Sequence, residues 1–239
     1  MPENPLSTPP VTFADTRDAA HRLAVYVISP ARRRVTGRIG LRAAPGGFTT
    51  PPFGDDDERV RLDVDLLVRE RGGESETAPV TTLAEAAAFV LGGPPDTEGA
   101  EGFDVPPMGD PDRALAVDPA AATLLGDWYG FAWEVLGTLR EELAADEPSE
   151  VQLWPEHFDA AFDAAAEDGR VTFGASPGDA TSDEPYLYVL PPGPVERGET
   201  WNAEGFAGAV LPLSAFVGEE DQSAVALAFL RGRRAALSG

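Results

Sequence analysis

The stretch that most constrains the fold lies between Asp118 and Pro148. Asp118-Pro119 pairs a side chain suited to capping a helix with a proline suited to its first turn. Behind it, Leu124, Leu125, Trp128, Phe131, Ala132, Val135, Leu136, Leu139 and Leu143 recur at helical spacing for more than five turns. Tyr129 and Trp133 add a second apolar stripe, so the spacing predicts a helix buried on more than one side. Pro148 ends it. Such a helix must be covered by other layers, and 239 residues are enough chain to build them.

The flanking segments predict what those layers are. From Asp15, the positions Ala20, Leu23, Ala24, Val27, Ile28 and Ala31 follow helical spacing, with Pro30 ending or kinking the helix. "GRIGLRAAPGGFTTPPFG" reads as a short strand, a Pro-Gly turn and a loop. "ERVRLDVDLLVRER" alternates like one half-buried strand closed by Gly72-Gly73. Thr81 or Thr82 caps "LAEAAAFVL", with Glu85 placed as in a capping box. Beyond Pro148 come strand "VQLW", helix "PEHFDAAFDAAAED", strands "RVTFGA", "PYLYVL" and "FAGAVLPL", and a C-terminal helix whose arginines suit its negative pole.

Helices and strands alternate irregularly, which predicts an α+β fold. Its sheet is expected to be mixed or antiparallel and packed with several helices. The expected organisation is a disordered proline-rich terminus over 1–14, an α+β half over 15–93, a Pro/Gly/acid-rich linker over 94–117 and a second α+β half over 118–237, joined as one compact unit. "LRAAPGG" and "FGASPGD" each end a strand with Ala-(Ala/Ser)-Pro-Gly, which leaves open two similar halves.

Composition removes several chemistries. With no cysteine, disulfides, thiolate catalysis and Cys-based zinc sites are impossible. All 18 basic residues are arginine, so Schiff-base lysines and a P-loop lysine are excluded. A net charge of −23 argues against nucleic acid as a partner. No apolar run approaches a membrane span, and the start lacks the pattern of a signal peptide, so the expected location is the cytoplasm. Residues 1–50 depart from the acidic trend, with seven arginines against three acids. The cluster Arg32, Arg33, Arg34, Arg38 and Arg42 either complements a helix end and pairs with acids or holds a carboxylate or phosphate.

Three segments carry candidate chemistry. Gly174-Ala175-Ser176-Pro177-Gly178 fits the G-x-S-x-G pattern of a hydrolase elbow, but Pro177 has no N–H to donate to an oxyanion and no helix pattern follows. A serine hydrolase is therefore rejected, and Ser-Pro-Gly is read as a sharp turn that aims Asp179. In "LWPEHFDAAFD", His157 and Asp159 sit two apart and would point to opposite sides of the expected helix, so His157 is either bonded to a neighbouring backbone group or, as a base or metal ligand, takes Asp179, Asp183 or Glu184 of the following loop as its partner. Two histidines do not make a structural zinc site, no spacing supports a calcium loop, and neither a metal nor a cofactor is expected. Tyr186 and Tyr188 share one face of their strand, as a cavity wall or as ordinary core. His21, one turn after Asp18, is read as a surface ion pair.

Together "GRIGLRAAPGGFTTPPFG", "VQLWPEHFDAA", "GASPGDATSDEPYLYV" and "WNAEGFAGAVLPLSAF" make the chain, from about residue 17 onwards, resemble a family of uncharacterised proteins from actinobacteria and other bacteria. The family carries no assigned activity, so the resemblance implies no mechanism. It draws attention to His157, Asp159, Asp179 and Glu184, which lie inside the shared segments.

The leading expectation is a protein binding a small molecule, an anion among the candidates, in a cleft between its halves. Trp154, His157, Asp179, Glu184, Tyr186, Trp201 and Asn202 would line it, and Arg38 or Arg42 would anchor an anion. One alternative is an enzyme using His157 with Asp179 or Glu184 for acid–base or metal-assisted chemistry. The other is a structural or partner-binding protein. Oligomeric state is not readable from the chain.

Overall fold

The computed structural model describes residues 5–98, 105–180 and 182–237. The fold is α+β, with two five-stranded antiparallel sheets, each a simple meander. The first sheet runs through β1 (Arg42–Ala44), β2 (Gly47–Thr49), β3 (Arg59–Asp63), β4 (Leu66–Arg71) and β5 (Glu74–Pro79). The second runs through β6 (Gln152–Trp154), β7 (Asp159–Ala166), β8 (Gly169–Ser176), β9 (Tyr186–Leu190) and β10 (Ala209–Pro212). The chain divides into two compact units, residues 9–129 with 153–158, and residues 1–8, 130–152 and 159–239.

In the unit built on residues 9–129, α1 (Phe13–Leu23) passes through a π-helical turn at Ala24–Ile28 into α2 (Ser29–Thr36). Pro30 does not end this path. It has no N–H for the Tyr26 carbonyl four residues earlier, and that carbonyl accepts instead from the Asp96 N–H at 2.9 Å. The Asp96 carboxylate then takes Arg33 and Arg34 at 2.9 and 2.8 Å. Arg22 donates to the Pro107 carbonyl and Tyr26 to that of Pro106, so the described part of 94–117 is tied to the helix by its backbone. Residues 99–104 of that stretch lie outside the described residues. Left-handed Gly37 closes α2.

"ERVRLDVDLLVRER" is a hairpin rather than one strand. The alternation of Val60 and Leu62 runs into a two-residue turn at Val64-Asp65, with Val64 at φ 57°, and Leu67 faces Leu62 on the return. The Val64 N–H is held by the Gly46 carbonyl at 2.8 Å. Gly72 and Gly73, at φ 57° and 85°, close β4 onto β5, as a two-residue hairpin requires. Thr82 caps α3 (Leu83–Leu91) by accepting from the Glu85 N–H.

The long helix α4 (Pro119–Glu142) forms as its spacing predicts, with Asp118 accepting from the Ala121 N–H at 2.9 Å. Leu125, Trp128, Tyr129, Phe131, Val135, Leu136 and Leu139 are all buried. Its first turns belong to one unit and its later turns to the other. Gly126 is where it meets the first sheet: a Cβ there would stand 2.6 Å from the Gly46 carbonyl carbon and 2.7 Å from the Gly47 nitrogen.

In the other unit, the segment expected as helix "PEHFDAAFDAAAED" is a turn over 155–158 followed by strand β7. Ala160, Phe162 and Ala164 face the core in period two, with Phe173, Ala175, Leu187 and Val189 beside them, and α5 (Gln222–Ala235) packs on β9 and β10. The expected disorder of residues 1–14 is also corrected over its described part. Leu6 is buried, and the Gln222 amide brackets its N–H and carbonyl at 2.8 and 3.0 Å, while Phe13 starts α1. Residues 1–4 lie outside the described residues. The two halves are similar in that each carries a five-stranded antiparallel meander, while the Ala-Pro-Gly echo falls between the first and second strands of one and the third and fourth of the other. Among the described residues no helix is long and apolar enough to cross a membrane.

The helix–turn contact predicts opposite signs for two glycines of α4. Gly126→Ala drives a methyl into backbone and costs about 2–3 kcal/mol in urea unfolding. Gly130→Ala, exposed with nothing within 4 Å of the new carbon, gains up to about 1 kcal/mol of helix propensity. Equal effects at the two positions would refute the packing.

Candidate functional site

The second sheet has two unlike faces. Opposite its apolar face, the register lines up Asp159, Ser176 and Tyr186 in one row and Ala161, Gly174 and Tyr188 in the next. Two small residues in the second row leave the space that the tyrosine fills. β7 and β9 are separated by β8, about 9–10 Å apart, which a tyrosine can cross only by lying over the middle strand. Tyr188 does so, and its hydroxyl donates to the Asp159 carboxylate. Gly174 makes the crossing feasible, since a Cβ there would stand 2.2 Å from the Tyr188 ring.

Tyr186 makes the parallel contact from the row above. Its hydroxyl donates to Asp179, in the loop after β8, and also bonds Ser176. Asp179 is positioned by that loop: its N–H donates to the Ser182 carbonyl at 2.8 Å and its carboxylate accepts from the Ser182 N–H at 3.1 Å. The Ser176 hydroxyl accepts from the Gly178 N–H, so the serine is part of the turn. The next element after it is β9, not a helix. The tyrosine rings lie 6.2 Å apart, and Phe206 stands edge-on to Tyr188 at the same distance.

Both tyrosines are 8% exposed. Burial and the neighbouring carboxylates push both hydroxyls well above their ordinary range. They therefore stay protonated and act as donors; a phenolate base is not accessible here.

The structure thus joins Asp179 and Tyr186 of the expected cleft residues with Asp159 and Tyr188, which the sequence singled out without placing them in the cleft, and with Ser176 of the turn. Glu184 is committed to the Ser214 N–H and hydroxyl, at 2.8 and 2.9 Å. Asn202 brackets the Val210 backbone like a further strand, at 3.1 and 2.9 Å. Trp201 is buried, with its carbonyl taken by Gly198. Trp154, His157, Arg38 and Arg42 belong to the other unit. Arg38, Arg42 and His157 are exposed there, while Trp154 is half-buried. The pairing of Asp159 with Tyr188 was hidden by the helix reading, yet Asp168-Gly169 in its hairpin was a turn signal.

The 155–158 turn has its own anchor. The Trp154 carbonyl accepts from the Phe158 N–H at 2.7 Å, and Phe158 sits at φ 56°, a rare conformation for an aromatic residue. Tyr129 donates to the Phe158 carbonyl at 2.7 Å. His21 stacks on the Phe158 ring at 4.7 Å, and its Nε2–H donates to the Pro155 carbonyl at 2.8 Å. Its reading as a surface ion pair is corrected: the imidazole is buried, and Asp18 pairs with Arg17. Burial lowers the His21 pKa to about 4, against the smaller opposing effects of the Pro155 carbonyl and Asp18.

Among the described residues no three His, Asp or Glu side chains are grouped to hold a metal ion. A surface cavity of about 280 Å³ is lined by Asp15, Asp18, Arg22, Asp110 and Arg113, none of them a candidate from the sequence. No protein-family model, curated protein or solved structure matches the chain.

Two expectations follow. His21 is neutral in the fold down to about pH 4 but titrates near 6.5 when unfolded. Unfolding therefore takes up a proton between these values, and stability is intact above pH 6.5 and falls as pH drops towards 4. Against His21→Phe, the wild-type advantage should shrink by about 2 kcal/mol between pH 7.5 and 5; an offset independent of pH would disprove it. Gly174→Ala should cost about 1–3 kcal/mol, and its effect should be non-additive with Tyr188→Ala by about 1 kcal/mol or more. Simple additivity would mean that Tyr188 does not lie over Gly174.

Proposed function

We propose that this protein binds a small molecule bearing hydroxyl or ammonium donors at the tyrosine–aspartate face of its second sheet. The observation that carries the reading is the pairing of two adjacent tyrosines on β9 with Asp159 and Asp179. A fold can satisfy a strand tyrosine more cheaply, by exposing its hydroxyl. Here two carboxylates are drawn to one face, with aromatic rings beside them, which is the usual composition of a site for a polar ligand. Carboxylate acceptors favour a cationic or polyhydroxylated ligand over an anion. Asp179, half-buried in the loop over 177–185, is the group best placed to exchange Tyr186 for a ligand donor.

The same chemistry speaks for binding over catalysis. A general base works best with a pKa near the working pH, whereas both hydroxyls here are displaced away from it.

The test is thermal shift followed by calorimetry with a panel of amines, polyamines and polyols, and anionic metabolites as the contrast. A stabilising compound should come from the first group, and Asp179→Asn should weaken it by about ten- to a hundredfold, the loss of a charge-assisted hydrogen bond. Silence across the amines and polyols, or unchanged affinity in Asp179→Asn, would sink the proposal.

A further inference from the structure

Asp15, Asp18 and Arg22 stand three and four positions apart on α1, so they share one face of the helix. The segment over 107–118 is tied down beside that face. The Pro107 carbonyl accepts from Arg22 Nε at 3.1 Å and the Pro111 carbonyl from the Ala84 N–H at 2.9 Å. The Leu115 N–H donates to the Thr81 carbonyl at 2.8 Å, and the Asp118 N–H to the Thr16 hydroxyl at 3.0 Å. A turn orders the middle of the segment: the Asp110 carbonyl accepts from the Arg113 N–H at 3.2 Å, and its carboxylate from the Asp112 N–H at 3.1 Å. The surface cavity of about 280 Å³ is lined by α1 on one side and by this segment on the other.

The cavity gathers both signs of charge without pairing them. Asp18 is taken by Arg17. Each wall then keeps one acid and one base, Asp15 with Arg22 on α1 and Asp110 with Arg113 on the segment. Among the described residues none of these four makes an ion pair, although arginines elsewhere, such as Arg33, Arg69 and Arg234, find carboxylates within 2.9 Å. Asp15 and Arg22 are two turns apart, roughly 10 Å along the helix. Asp15 and Arg113 are exposed, and among the described residues neither side chain is committed to a hydrogen bond, so a ligand reaches both from solvent. Buried Leu83, with half-buried Met108 and Leu115, supplies the apolar part of the lining. A simple cation would meet the guanidiniums here and a simple anion the carboxylates, whereas a molecule carrying both charges satisfies both. The volume lies at the small end of ligand pockets, roughly 300–1,000 Å³, which suits a molecule of amino-acid size.

We infer that this cavity binds a free α-amino acid with an aliphatic side chain. Arg113 takes the carboxylate with its guanidinium fork, Asp15 takes the ammonium group, and the side chain lies on Leu83, Met108 and Leu115. This site lies within the unit of residues 9–129 and does not depend on the tyrosine–aspartate reading.

The experiment titrates the intact chain at pH 7 with L-leucine and the smaller L-alanine, and reads thermal stability and calorimetric heat. Leucine should stabilise the wild type and bind more tightly than alanine. Leucinamide, which lacks the carboxylate, and 4-methylpentanoate, which lacks the ammonium group, should each bind about tenfold or more weakly. Arg113→Gln and Asp15→Asn, read against their own melting temperatures without ligand, should each weaken leucine by about tenfold or more. Arg38→Ala removes an exposed arginine outside the cavity and should bind leucine as the wild type does. Silence of the wild type towards both amino acids overturns the proposal, as does wild-type affinity in Arg113→Gln or Asp15→Asn. An analogue with one charge binding as tightly as leucine overturns the zwitterion assignment, and loss of leucine in Asp179→Asn would move its site to the second sheet.

Discussion

The hold on Phe158 is the contact from which the second sheet takes its register. A phenylalanine at φ 56° is strained, and such a residue persists only when its surroundings over-determine it. Here the ring is stacked on His21 and set edge-on to Phe48 and Tyr129, and the carbonyl is taken by the Tyr129 hydroxyl. β7 begins at the next residue. Side chains alternate along a strand, so the conformation of Phe158 decides whether Asp159 or Ala160 enters the apolar face. With Phe158 left-handed, Asp159 meets Tyr188 while Ala160, Phe162 and Ala164 fill the core. A one-residue slip would turn Asp159 and Asp163 into the apolar face and take Asp159 away from the Tyr188 hydroxyl.

The same region shows why part of the fold was legible and part was not. The α4 segment has one solution: its apolar residues fit the helical period, and their number is too great for any strand. "DAAFDAAA" has two. Phe158, Ala161, Phe162 and Ala165 make an acceptable helix face, and Ala160, Phe162 and Ala164 an acceptable strand face. Alanine favours the helix locally, but pairing with the strongly β-forming "RVTF" favours the strand. Tertiary pairing outweighs a propensity of a few tenths of a kcal/mol per residue. The reading that kept Tyr186 and Tyr188 on one face was correct because a strand with two aromatics and period two admits little else. Its partner Asp159 was lost with the helix assignment.

Other features were beyond reach for a different reason. The His21 partner is a carbonyl 134 positions away, and the Tyr26 carbonyl freed by Pro30 is claimed by Asp96 seventy residues later. A backbone acceptor leaves no mark in the sequence, so the nearest side chain, Asp18, was the only partner that could be read. For the arginine cluster the chain offers the converse case. The surplus of cations over residues 1–50 is visible in composition, yet only the fold separates Arg33 and Arg34, which Asp96 neutralises, from Arg32, which it does not.

The distribution of polar groups also narrows the chemistry that this molecule can support. Without lysine or cysteine, and with two histidines, its proton-transfer groups near neutrality are few. Of the histidines, His21 is withdrawn into a structural role, with its pKa moved to about 4 and its Nε2–H given to a backbone carbonyl. The tyrosines move the other way, above their usual range, and both hydroxyls donate to carboxylates. Shifts in these directions withdraw groups from proton transfer at neutral pH and leave them as fixed donors and acceptors. A face built of fixed donors, acceptors and aromatic walls recognises shape and hydrogen-bonding pattern. That is the physical ground for reading the second sheet as a receptor, and for expecting its selectivity to rest on the number and placement of a ligand's donors.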